Sequence, residues 1–197
     1  MENLKGILLE MEKKNSLRVK SKLKKGDLIK KSEGLYYEID DLNLHKNLPD
    51  YKDGALPYAQ IHSKLKADKN KIYDFFNEKG VMRDGKLVVP FSQVIGAGLG
   101  ECLEKAILSH MATQEVMESF LISGSLSIEG GNVEKHAYNI VFMNEKPHLV
   151  DVENPVLDDK GKILQPYVAE VHGFNDKLSR FVQHPEWEKL GRFYEIE

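Results

Sequence analysis

The chain has 197 residues, 41% hydrophobic and 30% charged, with a formal net charge of −3. That length holds one sizeable domain or a core with a smaller lobe, and that composition belongs to a packed globular protein rather than a disordered one. The charge is too mild to call for nucleic acid or a membrane surface, and the single cysteine excludes an internal disulfide and a thiolate zinc cluster.

Positive charge is concentrated at the start, where Met1 to Lys31 carries ten Lys and Arg against four acids. Such a run reads as a solvated face and implies no partner by itself. The opening MENLKGILLEMEKK predicts a short amphipathic helix. Its acids and the absence of a small-residue cleavage site argue against a signal peptide. No apolar stretch reaches the length of a membrane span. A free thiol then points to the cytoplasm, with secretion lacking a signal peptide left open.

From Ser16 to Asp40 the pattern predicts strands: Leu17, Val19 and Leu23 alternate with polar residues, KKGD marks a turn, and Leu35, Tyr37 and Ile39 alternate again. Asp41 to Ala67 is loop-rich, with Pro49 and Pro57. Ile72, Phe75 and Phe76 predict a helix over Asp68 to Lys79, stopped at Gly80, and RDGKLVVP predicts a turn and a short buried strand. After three glycines, Leu103, Ala106, Ile107, Met111, Val116, Met117, Phe120 and Leu121 predict a long buried helical region. Ser123 to Ile128 reads as a strand, and Lys135 to Met143 and Pro147 to Val152 as two strands joined at Asn144-Glu145. Beyond Pro155, a DDKGK turn precedes further strand-like pieces. The expected architecture is α+β, with an N-terminal lobe over 1–85 and a core over 86–197.

The chemistry centres on GAGLGECLEKAIL, Gly96 to Leu108. Its glycine spacing is not that of a dinucleotide loop, and no Walker lysine follows. Cys102 falls where the turn ends and the helix begins, where the helix dipole favours a thiolate and backbone amides can hold an oxyanion. Alone, such a cysteine is more often a small core residue. Downstream, EKHAYNIVFMNEKPHLVDVENP changes that reading. With a two-residue turn at Asn144-Glu145, His136 faces Glu153, Tyr138 faces Asp151, and Asp151 is the diagonal neighbour of His136 on one face. Either acid can fix the imidazole tautomer while the other ring nitrogen meets the thiol, the logic of nucleophile, base and orienting acid.

GLGECLEKAIL, HAYN and HLVDVENP in this order resemble the transglutaminase-like cysteine enzymes, over about Gly96 to Pro155. The resemblance implies a papain-like core, with a nucleophile-bearing helix packed on an antiparallel sheet. It implies Cys102 as nucleophile, His136 as general base and acid, and Asp151 as orienting carboxylate, with no cofactor. Tyr138 and Leu103 stand where the family commonly has tryptophan. Gln93, Tyr138 and Glu153 are candidates for oxyanion or supporting roles, while Asn139 reads as structural. The remaining histidines lack metal-ligand spacing, so no metal is expected. Trp187, Phe193 and Tyr194 read as closing the core.

The expected activity is cleavage or exchange of an amide or peptide bond through a Cys thioester, with hydrolysis favoured over cross-linking. The expected substrate is a peptide, a protein or a small amide. A non-catalytic module retaining the fold and an acyl-CoA-dependent acetyltransferase using the same three residues are the alternatives.

Overall fold

The computed structural model describes residues 4–48, 51–52 and 56–196, with side chains at 163 and 164 excepted. Pro49 lies outside the described residues. The chain opens with α1 (Leu4–Lys14), β1 (Val19–Lys20), β2 (Leu28–Ser32) and β3 (Leu35–Glu38). A 3₁₀ turn (Leu44–Asn47) leads to α2 (Tyr58–Lys64) and α3 (Lys69–Lys79), the latter capped by the Asp68 carboxylate accepting from the Lys71 amide at 3.1 Å. Then follow β4 (Val81–Arg83), β5 (Lys86–Pro90), α4 (Phe91–Gly96) and α5 (Cys102–Thr113). The remainder is β6 (Ser119–Ile128), β7 (Val133–Met143), β8 (Lys146–Leu157), β9 (Ile163–Asn175), β10 (Arg180–Gln183), α6 (Pro185–Glu188) and β11 (Arg192–Ile196).

Two sheets form. The smaller runs β2-β3-β5-β4, with β3 and β5 parallel. The larger runs β6-β11-β10-β9-β8-β7, and β6 pairs with β7 to complete the circle. The result is a closed, six-stranded antiparallel barrel, with β1 as an extra strand along the first half of β6. Side chains from all six strands, among them Phe120, Tyr138, Leu149, Tyr167, Phe181 and Tyr194, meet in one cluster and fill the barrel, joined by Leu4 and Leu8 of α1. Ala137, Val141, Val150 and Val152 belong to a second cluster with α5 and the smaller sheet. Neighbouring residues of β7 thus serve two cores, which is why it reads as a continuous apolar run.

This overturns the expected α+β papain-like core, a nucleophile-bearing helix packed on an antiparallel sheet. Its α5 does pack on β7 and β8, but the sheet closes on itself, because β6 holds β7 from Ser119↔Val141 to Ser127↔Val133 while its other edge takes β11. Closure removes the free edges that an open sheet would expose. The long helix after Cys102 is likewise corrected: it ends at Thr113, and Phe120 and Leu121 are strand residues of β6. In β6, Phe120 fills the barrel and Leu121 its outer cluster, a period of two that cross-strand pairing imposes on an apolar run. Near the N-terminus, strand structure spans only Val19–Lys20, and Leu17 is exposed. Among the described residues no helix is long and apolar enough to cross a membrane.

Barrel closure depends on a close approach at Gly124, where a Cβ would lie 1.9 Å from the Glu195 carbonyl oxygen of β11. Gly124→Ala is therefore expected to destabilise the protein by about 1–3 kcal/mol, the usual range for overpacking. Gly173→Ala, in β9 with no atom near the added methyl, should change little. Chemical denaturation of both variants checks this, and equal midpoints would contradict it.

Candidate active site

The turn before α5 is shaped by close packing. Gly98 has a φ of +71°, and the added methyl of an alanine at Gly100 would sit 2.8 Å from Leu65 Cδ1. The Lys66 amide donates to the Gly98 carbonyl at 2.9 Å, and the Gly100 amide donates to the Lys66 carbonyl at 3.0 Å. Pinned in this way, the chain enters α5 at Glu101, which forms a reciprocal capping box with Glu104. The Glu101 amide donates to Glu104 Oε2 at 2.8 Å. Fully buried Glu104 also accepts from the Tyr37 hydroxyl at 2.5 Å and pairs with Lys31 Nζ at 2.8 Å, and Lys31 reaches Glu101 at 3.0 Å. Burial alone would lower the lysine pKa, but the two carboxylates outweigh it and hold Lys31 above its ordinary value. The smaller sheet is thereby locked to the first turn of α5, and Cys102 follows directly.

His136 and Asp151 arrive on β7 and β8. Asn144 and Glu145 both have positive φ, +50° and +66°, and the pairs Met143↔Lys146 to Asn139↔Val150 follow with the expected register. Beyond Asp151 a bulge releases 152–155 from regular pairing with β9. The Glu153 and Asn154 amides there turn back to donate to Asp151 Oδ1 at 3.0 and 3.2 Å. His136 Nε2 lies 2.8 Å from Asp151 Oδ2, which also accepts from Tyr194 OH at 2.8 Å and Asn154 Nδ2 at 3.0 Å. Cys102, at the start of α5, lies close enough to His136 to contribute to raising its pKa. Cys102, His136 and Asp151 are therefore brought together, at the point where the N-terminus of α5 meets the barrel.

Glu153 pairs instead with Lys105 of α5, Oε2 to Nζ at 2.5 Å, so the two candidate acids have separate partners. Tyr138 is buried with its hydroxyl donating to the Glu195 carbonyl at 2.9 Å, and its ring stacks on His136 at 6.3 Å. It supports the imidazole and has no hydrogen left for an oxyanion. Gln93 is exposed on α4 and has no side-chain bond to these residues. Asn139 donates to the Ala106 carbonyl at 3.2 Å and ties β7 to α5. Sequence reasoning missed Asn154 and Lys105, and took Tyr194 only as a core residue; Asn154 alone had a local signal, as an amide side chain three residues after an acid. Among the described residues no three His, Cys, Asp or Glu side chains are arranged to hold a metal.

The electrostatics of the pair oppose burial. Desolvation penalises the His136 imidazolium, but the charge and hydrogen bond of Asp151, followed by Cys102, raise its pKa well above the ordinary value of 6.5. Desolvation likewise penalises the Asp151 carboxylate, but His136, then Asn154 and Tyr194, hold its pKa below the ordinary 3.8. The chain matches no known protein-family model and no curated protein.

Linkage fixes the direction of the pH dependence. The stability from His136 is full below about pH 6.5 and is lost as pH rises through its raised folded value. The stability from Asp151 is full above about pH 3.9 and is lost as pH falls through its lowered folded value. In Asp151→Asn the imidazole keeps its burial and loses its counter-charge, so the alkaline loss should disappear. Denaturation midpoints of both proteins between about pH 6 and 10 check this. A wild-type midpoint that does not fall over that interval would contradict it.

Proposed function

We propose that the protein is a cysteine-dependent enzyme that cleaves an amide or peptide bond through a thioester on Cys102. The observation that carries this reading is the arrangement at His136, with Nε2 held by buried Asp151 and with Cys102 close enough to help raise the imidazole pKa. The likeness of the three motifs to the transglutaminase-like cysteine enzymes supports the chemistry, and the closed barrel separates it from any argument about their fold.

In the proposed cycle His136 holds the thiol proton and the Cys102 sulfur attacks the carbonyl carbon, forming an S–C bond. The resulting oxyanion is held by backbone amides of the first turn of α5. The capping box uses the Glu104 amide, which leaves those of Cys102 and Leu103 for this role. Collapse breaks the C–N bond as His136 passes its proton to the leaving amine. Water then gives a proton to His136 and adds to the thioester, and C–S cleavage returns the thiol and releases a carboxylic acid. Asp151 remains ionised throughout, holding the tautomer and stabilising the imidazolium. Hydrolysis is the favoured outcome because water needs no binding site of its own. A working thiol of this kind fits a reducing compartment.

The rate of Cys102 alkylation by iodoacetamide, followed against pH, tests the reading. Wild type should react readily at about pH 6, whereas His136→Ala should be slower by roughly a hundredfold there, as a thiol with an ordinary pKa of about 8.5 is barely ionised at that pH. Rates that rise together near pH 8.5 in both proteins would overturn the enzyme reading and leave a non-catalytic module.

A further inference from the structure

Between Asp151 and Val156 the chain leaves its regular pairing with β9, and the backbone carbonyls of that bulge need partners from elsewhere. Three side chains grip it. His62 of α2 donates from Nδ1 to the Val152 carbonyl at 2.8 Å, and Lys105 of α5 pairs with the Glu153 carboxylate. Arg192 of β11 takes the last two residues, with Nη1 donating to the Asn154 carbonyl at 2.5 Å and Nη2 to the Pro155 carbonyl at 3.3 Å. A planar guanidinium on two successive carbonyls fixes both the position and the orientation of that backbone.

Arg192 is itself held from two sides. Its guanidinium lies over the Tyr167 ring, 4.9 Å from the centroid, and its own carbonyl accepts from Gln183 Nε2 at 2.7 Å. Buried Gln183 in turn accepts from the Tyr167 hydroxyl, and Tyr167 is the cross-strand partner of Asp151. The residue that Arg192 grips is also the one with two bonds to Asp151. The Asn154 amide donates to Oδ1 at 3.2 Å and its Nδ2 to Oδ2 at 3.0 Å, and that Nδ2 lies 3.4 Å from His136 Nε2. A chain of direct contacts therefore runs from Arg192 through Asn154 to Asp151 and His136.

We infer that Arg192 is a positioning residue of the proposed reaction: by holding the Asn154 and Pro155 carbonyls it keeps Asn154 bonded to Asp151, and Asp151 aligned on the imidazole that serves Cys102. The inference rests on Cys102 and His136 being the reacting pair. Arg192 acts through Asn154 and is not itself a catalytic residue. Its two conceivable influences have opposite signs. Removing a cation from this region would, by charge alone, favour the His136 imidazolium, whereas loosening Asp151 disfavours it.

The test is the titration of the His136 ring by ¹⁵N NMR in wild type, Arg192→Met and Arg192→Lys. Arg180→Met is the control, since it also removes an arginine bound to β11, through Glu195 at 2.9 Å, but one that does not hold the bulge. In Arg192→Met the midpoint should fall by about one pH unit, a tenfold weaker proton binding and the scale of one lost hydrogen bond. Arg192→Lys keeps the cation without the two-point fork and should fall by less, and Arg180→Met should keep the wild-type midpoint. Cys102 alkylation by iodoacetamide at about pH 6 should slow in the same order. A midpoint in Arg192→Met that is unchanged or raised would overturn the inference, as would an equal fall in Arg180→Met, which would mean a general loosening of β11. If the methionine variant does not fold, the lysine variant decides by the same criterion. Failure of the thiol chemistry itself would appear separately, as a wild-type iodoacetamide rate indifferent to the loss of His136.

Discussion

The carboxylate of Asp151 is the group on which the rest of the site depends. It is fully buried, and an ionised carboxylate removed from water persists only when its lone pairs are used. Five donors use them: the Glu153 and Asn154 amides, the Asn154 side chain, His136 and Tyr194. Those donors come from β7, from the bulged end of β8 and from β11. They converge only because the barrel is closed, which carries the last strand of the chain round to the side chains of β7 and β8. The barrel is thus the means by which a buried negative charge is made tolerable beside an imidazole.

Bringing the thiol to that imidazole is a separate problem, and polar ties around α5 solve it. Lys31, Glu104 and Tyr37 join the first turn to the smaller sheet, Lys105 and Glu153 join the second to β8, and Asn139 holds the Ala106 carbonyl from β7. Buried ion pairs of this kind contribute little net stability compared with apolar packing, since desolvation consumes most of the attraction. Each has geometry, however, that a slide or rotation of the helix would break. They register α5 against both sheets while the leucines, isoleucine and methionine beneath supply the hydrophobic driving force.

Much of the site was legible in the sequence because its determinants are local. The turn at Asn144-Glu145 sets a register, and the register makes His136 and Asp151 diagonal neighbours. The glycines before Cys102 mark a constrained turn at a helix start. Choosing between Asp151 and Glu153 needed the structure, since the bulge after Asp151 and the Lys105 counter-ion lie outside any local pattern. Barrel closure was not legible, because it rests on pairing between β6 and β11, separated by roughly seventy residues, at a glycine whose need is seen only in the packing. Phe120 and Leu121 were misplaced in a helix for a related reason: a short apolar run fits either period until its cross-strand partners are known. Tyr194 was correctly read as a core residue, but its hydroxyl finds Asp151 only through that same closure.

The central claim is that Asp151 and Cys102 together hold His136 as an imidazolium. The most direct measurement is ¹⁵N NMR of the His136 ring as a function of pH, in wild type and in Cys102→Ser. The account predicts both ring nitrogens protonated at about pH 7 in wild type, with a titration midpoint above the ordinary value near 6.5 that moves down in Cys102→Ser. A ring that is neutral at that pH in wild type, or a midpoint indifferent to the loss of the thiol, would contradict it.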